Sequence, residues 1–336
     1  MLFECENLVG LERNLIDRIM KDAYADEKHS FGSNSILTHY TASENLPKIL
    51  RANGIVLWFS AAEDMNDSSE GEVTRSIYKS ACEELLKKAK INQQFRNLAI
   101  GIKAVGENLF FQPDPDEKLH CLGLAAYLNR AVYLCCFSRN SNSDYMWQTY
   151  IKNEKHEGYS LGFRKMDLDQ AAIVYTADDG KTMLNRSQNV EFQVIPVVYK
   201  DALKKSYMET LILTVYDCWK KGGISDPEAR VVIGGILNTL QYVFKEPRYA
   251  DEEEVRVLLY IPKEQEYQEN DGQKIQHFEV MLGCCSAREA AWPTIENFEL
   301  TPERSNASKS ALVQILPSPV LTAGDVAQDI KKFYLK

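Results

Sequence analysis

Four short clusters in this 336-residue chain hold side chains that move protons, grip hydroxyl groups or stack on flat rings. In Leu37-Thr-His-Tyr-Thr41, a histidine beside a tyrosine ends an apolar run. An imidazole there can bond a bound hydroxyl or act as acid or base, or simply bond the next turn. Ser60 and Met65-Asn-Asp-Ser-Ser-Glu70 form the second cluster. Asn66 and Asp67 can line a pocket opposite His39, while Asp67-x-x-Glu70 also has the form of a capping box. Third comes Cys136-Phe-Ser138 with Asp144-Tyr-Met-Trp-Gln-Thr-Tyr150, then Gly158-Tyr-Ser-Leu-Gly162. Trp147 and Tyr150 share a helical face, as core or as a wall for a heteroaromatic ring. The fourth cluster is Asp251-Glu-Glu-Glu254 followed by Val-Arg-Val-Leu-Leu-Tyr260. In a strand, Glu252, Glu254 and Arg256 fall on one face, where the arginine can hold one carboxylate ionised while the other works on substrate.

The elements that must carry these clusters follow from apolar spacing. Strands are expected at Ile36–Tyr40, Ile55–Ser60, Ala131–Ser138, Gly158–Phe163, Phe192–Val198, Glu254–Ile261, Phe278–Leu282 and Leu312–Leu316. Helices are expected at Ser43–Asn53, closed by Gly54, then from Gly71 to about Ala104 and at Asp144–Asn153. The amphipathic segments Ala202–Lys220 and Asp226–Phe244 should pack on one another, with a last helix near Asp325–Tyr334. Leu11, Leu15, Ile16 and Ile19 mark an N-terminal amphipathic helix. The order follows no regular strand–helix–strand rhythm, which points to an α+β fold. Three parts are expected: an N-terminal helical segment (1–30), an α+β core (31–300) with a helical insertion at about 201–246, and a closing strand and helix (301–336).

Composition narrows the function classes. Hydrophobic residues make up 45% and charged residues 26%, as in an ordinary globular protein. The net charge of −9 lacks the basic footprint of a nucleic-acid binder, so that partner is disfavoured. No apolar run reaches the ~20 residues of a membrane helix, and the N-terminus lacks a signal-peptide pattern, so a cytoplasmic protein without membrane association is expected. The eight cysteines include two vicinal pairs but no C-x-x-C spacing, which fits reduced thiols better than a metal site. No metal is expected, and His120–Cys121 is the sole His/Cys doublet.

Taken in order, Leu37-Thr-His-Tyr-Thr41, Met65-Asn-Asp67 with Glu70, Cys136-Phe-Ser138, Met146-Trp147-x-x-Tyr150 with Gly158–Phe163, and Glu252-x-Glu254-x-Arg256 resemble the bacterial family called Domain of Unknown Function 2971. The resemblance spans roughly Ile36 to Gly283. It departs where that family usually has a tryptophan shortly before the Glu-x-Glu-x-Arg motif, since Tyr249 stands nearest here. The family's layout is similar to that of the ADP-ribosyltransferases, which implies a mixed or antiparallel split sheet with an accessory helical layer.

By that resemblance NAD is the substrate, cleaved at the nicotinamide–ribose bond with ADP-ribose passed to an acceptor or water. His39 would hold the ribose beside nicotinamide, and Glu252 or Glu254 would be the catalytic acidic residue. Tyr40, Asn66, Asp67 and Arg256 would line the nucleotide site, and Trp147 or Tyr150 would stack on nicotinamide. Ser60, Ser138 and Tyr159 compete for the second-strand position. A toxin, effector or phage-defence role, with a protein as acceptor or partner, is the family-level expectation. Two rival classes stand beside it: a non-catalytic module that senses a nucleotide or binds a partner through the same cleft, and a carboxylate-dependent hydrolase with another substrate.

Overall fold

The structure is a computed structural model that describes residues 2–24, 31–32, 34–51, 54–62, 69–100, 130–153, 155, 157–169, 175–177, 183–184, 191–266, 273–282 and 312–321. The expectations for Asn66, Asp67, His120–Cys121, Cys284–Cys285 and the C-terminal helix near 325–334 lie outside these residues. Two compact units interleave along the chain, one of Met1–Ala23, Met65–Arg130 and Ile195–Ala250, the other of Tyr24–Asp64, Ala131–Val194 and Asp251–Lys336. The helical portion therefore gathers three chain segments, more than the single insertion at 201–246 expected from sequence.

In the first unit, helix α1 (Leu2–Tyr24) buries Leu11, Leu15, Ile16 and Ile19, the expected apolar stripe. The long helix expected from Gly71 is two helices, α3 (Ser69–Lys87) and α4 (Gln93–Ile100). Its break is built by the backbone: Ala89 takes φ +53° while the Lys90 N–H returns to the Leu85 carbonyl and the Ala89 N–H to that of Leu86. That is a helix-ending pattern glycine usually serves, so an alanine there gives no sequence signal. Asn92 then caps α4 by accepting the Phe95 N–H at 2.8 Å.

The paired helices of this unit are α7 (Asp201–Lys220) and α8 (Asp226–Leu240), which pack together as expected. Ser225 and Glu228 form a reciprocal capping box at the start of α8, with a proline in its first turn. Such a cap stabilises a helix by about 1 kcal/mol. Tyr207, Leu211, Ile212 and Val215 of α7 are fully buried, each side chain contributing roughly 1.5–3 kcal/mol through burial.

The second unit is built on one curled sheet of eleven strands among the described residues. Its strands are β1 (Ile36–Ala42), β2 (Leu50–Arg51), β3 (Gly54–Ala61), β4 (Arg130–Ser138), β5 (Gly158–Arg164), β6 (Tyr175–Ala177), β7 (Met183–Leu184), β8 (Glu191–Pro196), β9 (Glu254–Pro262), β10 (His277–Leu282) and β11 (Leu312–Pro317). The main path runs β11-β5-β1-β4-β3-β10-β6-β7, with β9 paired to both β4 and β8. Every pairing with a described register is antiparallel, so the α+β class holds. The helix expected at Ser43–Asn53 is shorter: a 3-10 turn (Ser43–Asn45), helix α2 (Leu46–Ile49) with Pro47 in its first turn, and then β2. Gly54 opens β3 instead of closing a helix. Helix α5 (Asp144–Tyr150) and the short α6 (Lys165–Asp169) flank β5 in sequence.

Register assigns the faces, because opposed residues in an antiparallel pair project to the same side. Opposite Leu37, His39 and Thr41 stand Phe163, Leu161 and Tyr159, whereas Thr38 and Tyr40 oppose Gly162 and Ser160. Thr38 also opposes Ser138 of β4. His39 and Tyr159 thus share one face, and Thr38, Tyr40, Cys136 and Ser138 share the other. On the His39 side lie Tyr133, Phe137, Phe163 and Phe278, linked by edge-to-face ring contacts.

Candidate functional site

The polar face of β4 and the start of β9 bring the acidic motif together. Glu252 ends a 3-10 turn (Pro247–Glu252), so it precedes the strand on which it was expected. Glu253 follows at φ +46°, a left-handed conformation costing a non-glycine residue on the order of 1 kcal/mol. The kink is pinned from β4: the Ser138 hydroxyl donates to the Glu252 carbonyl at 2.8 Å, and the Arg139 N–H donates to that of Glu253 at 3.0 Å. The Asn140 N–H donates in turn to the Ser138 hydroxyl at 3.0 Å, which commits that side chain as donor and acceptor.

Beyond the kink, alternation in β9 sets Glu254 and Arg256 on one face. The Arg256 guanidinium donates through Nε to Glu254 Oε1 at 2.8 Å and through a terminal nitrogen to Oε2 at 3.1 Å. Each side chain is only 4% exposed, so the pair is desolvated and held in the bidentate geometry that arginine favours. The Cys136 thiol hydrogen-bonds to Glu254; burial first, and then the Glu254 charge, hold that thiol well above its ordinary range. It is a neutral donor, not a thiolate.

Tyr150 closes the cluster. It is the last residue of α5, whose Ser143 cap accepts the Met146 N–H. The residue is 39% exposed while its hydroxyl is hydrogen-bonded to Glu252. Burial, followed by the charges of Glu252 and Glu254, drives the phenol far above its usual range. Glu254 is clamped by a cation, and the buried Glu252 is hydrogen-bonded to the phenol of a part-exposed tyrosine. Such a pair can hold negative charge beside a developing cation and accept a proton from an incoming group.

Other expected site residues fall elsewhere. The pleat corrects the expected meeting of His39 with the acidic motif, because His39 lies on the opposite face. Its Nδ1 is 3.0 Å from the Cys136 carbonyl, which can only accept, so this nitrogen carries the proton. Its ring lies 5.7 Å from Phe137, and burial lowers its pKa below the usual 6.5 against the opposing effect of that hydrogen bond. Tyr159 lies on the same side and is fully buried.

Tyr40 and Trp147 form core. The Tyr40 hydroxyl donates to the Asn140 carbonyl at 2.8 Å and accepts the Ser143 N–H at 2.9 Å. Burial, with a smaller contribution from the Glu253 charge, pushes that hydroxyl up to about 12 against the Ser143 bond. Trp147 meets the Tyr40 ring edge-on at 4.7 Å and donates from its indole nitrogen to Asn142. Of the two aromatics proposed as a stacking wall, Tyr150 is exposed and Trp147 is buried. Ser60 is half-buried on the Cys136 side, through its pairing with Leu134. The glycines of β5 serve packing: a Cβ on Gly158 would lie 2.7 Å from both Ile151 and the Thr41 carbonyl, and one on Gly162 2.8 Å from Gln314 and Ile36.

Cys136 was not among the site residues expected from sequence. Its period-two offset from Ser138 in Cys136-Phe-Ser138 was the available signal. Among the described residues, no group of three or more His, Cys, Asp or Glu side chains is placed to hold a metal, and no helix is long and apolar enough to cross a membrane. No family model, no curated protein and no solved structure matches the chain.

Proposed function

We propose that the Glu252–Glu254–Arg256 cluster is the centre of an ADP-ribosyltransferase-like enzyme that cleaves NAD at the nicotinamide–ribose bond. One observation carries this reading: two buried carboxylates meet on one kinked segment, one held by an arginine fork and the other hydrogen-bonded to the phenol of a part-exposed tyrosine. The sequence resemblance and the antiparallel curled sheet support it. When the C1′–N bond breaks, its electron pair leaves with nicotinamide, which departs neutral, and the ribose carbon becomes oxocarbenium-like. Arg256 keeps Glu254 ionised, so its charge offsets the cation. The attacking O–H or N–H of a protein acceptor, or of water, bonds to C1′ and passes its proton to Glu252. Tyr150 orients Glu252 and offers its ring to the nicotinamide. Ser138 acts as a positioning residue that holds the kink.

The test is nicotinamide release from NAD by purified protein, with lysate supplied as acceptor. Glu254→Gln keeps the shape but not the charge, and should lower release by about 10²–10³-fold. Glu252→Gln should slow it by roughly 10²-fold. Wild-type protein that releases no nicotinamide under these conditions would contradict the reading.

A second reading has its own observation. Both oxygens of Glu254 are occupied by Arg256, an arrangement that also suits a fixed binding module without turnover. Saturable NAD binding with no nicotinamide formed would favour it.

A further inference from the structure

Thr38 is 1% exposed, and its hydroxyl has no hydrogen-bond partner among the described residues. A buried polar atom without a partner costs about 1–3 kcal/mol and calls for an explanation. Register places this one at the acidic site. Thr38 stands opposite Ser138 on β1 and β4. Cys136, two residues back on β4 and bonded to Glu254, is therefore its diagonal neighbour on the same face. The hydroxyls and thiol of the acidic cluster are committed: Ser138 to the Glu252 carbonyl and the Asn140 N–H, Tyr150 to Glu252, Cys136 to Glu254. Tyr40, on the next position of that face, is bonded on both sides. Among the described side chains named here, Thr38 is the one left with an unused donor and acceptor.

We propose that Thr38 is a substrate-binding residue that receives one hydroxyl of a vicinal diol, the ribose of the nucleotide, whose neighbouring hydroxyl donates to Glu254. The chemistries match. A sugar hydroxyl donates and accepts as a threonine hydroxyl does, and a carboxylate already held by arginine keeps lone pairs for a further donor. This assignment rests on the NAD reading above and names the part of the substrate that the site grips.

Thr38→Val removes the hydroxyl at constant shape, and Thr38→Ser restores it. ADP-ribose binding, measured by titration calorimetry, should weaken roughly 5–10-fold in Thr38→Val and recover in Thr38→Ser. The melting temperature of the valine variant should equal or exceed that of wild type, because an unpartnered hydroxyl has been removed. Wild-type binding matched by Thr38→Val would overturn the assignment and leave the NAD reading standing. A melting temperature several degrees lower in Thr38→Val would reveal a structural partner and also overturn it. Wild-type protein that neither binds ADP-ribose nor releases nicotinamide would overturn both.

Discussion

Two buried cations of this protein are handled in opposite ways. In the helical unit, the fully buried Lys204 reaches Asp201 at 2.8 Å, a partner that is 72% exposed one helical turn away. In the sheet unit, Arg256 and Glu254 are both desolvated at 4% exposure and joined through two hydrogen bonds. The first arrangement leads a charge back toward water and is an ordinary feature of a helix surface. The second removes both charges from water, at a cost that hydrophobic residues of the same size would avoid. With the kink at Glu253, the Cys136 thiol and the Tyr150 phenol gathered beside it, the second pair reads as machinery and the first as scaffolding.

The largest effect should come from breaking the sheet pair on one side. Arg256→Met leaves Glu254 buried without its cation and should cost about 3–5 kcal/mol in urea unfolding. Replacing both partners by Leu and Met should recover most of that loss while abolishing nicotinamide release. A double variant as unstable as Arg256→Met would mean that the pair stabilises the fold, and the contrast with Lys204 would weaken.

Next in size is the thiol. With Glu254 ionised, Cys136 should react slowly with iodoacetamide at pH 8. Glu254→Gln removes the charge that raises its pKa and should accelerate modification roughly tenfold. An unchanged rate would detach Cys136 from the acidic cluster.

His39 sharpens the contrast between the two faces of the sheet. Its pKa is lowered on folding, so the unfolded chain binds more protons once the pH falls below the usual 6.5. Stability is then fullest above that value and declines as the pH drops below it. His39→Leu should flatten this part of the stability profile between pH 7 and 5. An unaltered slope would place the acid sensitivity elsewhere. The smallest effect is expected for Asp201→Asn, which keeps an oxygen for Lys204 and should change stability by less than about 1 kcal/mol.

Much of the frame was legible in the sequence, because strand alternation and helical stripes are local signals. The β4, β5 and β9 strands fall within a residue or so of expectation, as does α7. The misses have physical causes. Ala89 and Glu253 adopt left-handed conformations that neither residue type advertises, so one helix became two and Glu252 left its strand. The facing of His39 was readable from alternation alone, but its separation from Glu254 depends on which strands pair, and pairing is non-local. Thr38 was invisible for a different reason: its distinction is a missing partner, which only a three-dimensional arrangement can reveal.

The measurement that tests the central claim most directly is nicotinamide release by Glu254→Gln and His39→Leu side by side, each verified as folded by circular dichroism. The predicted result is loss by at least about 10²-fold in Glu254→Gln with release retained in His39→Leu, because only the first change touches the face that carries the acidic cluster. Release abolished by His39→Leu and preserved by Glu254→Gln would contradict the account and move the chemistry to the other side of the sheet.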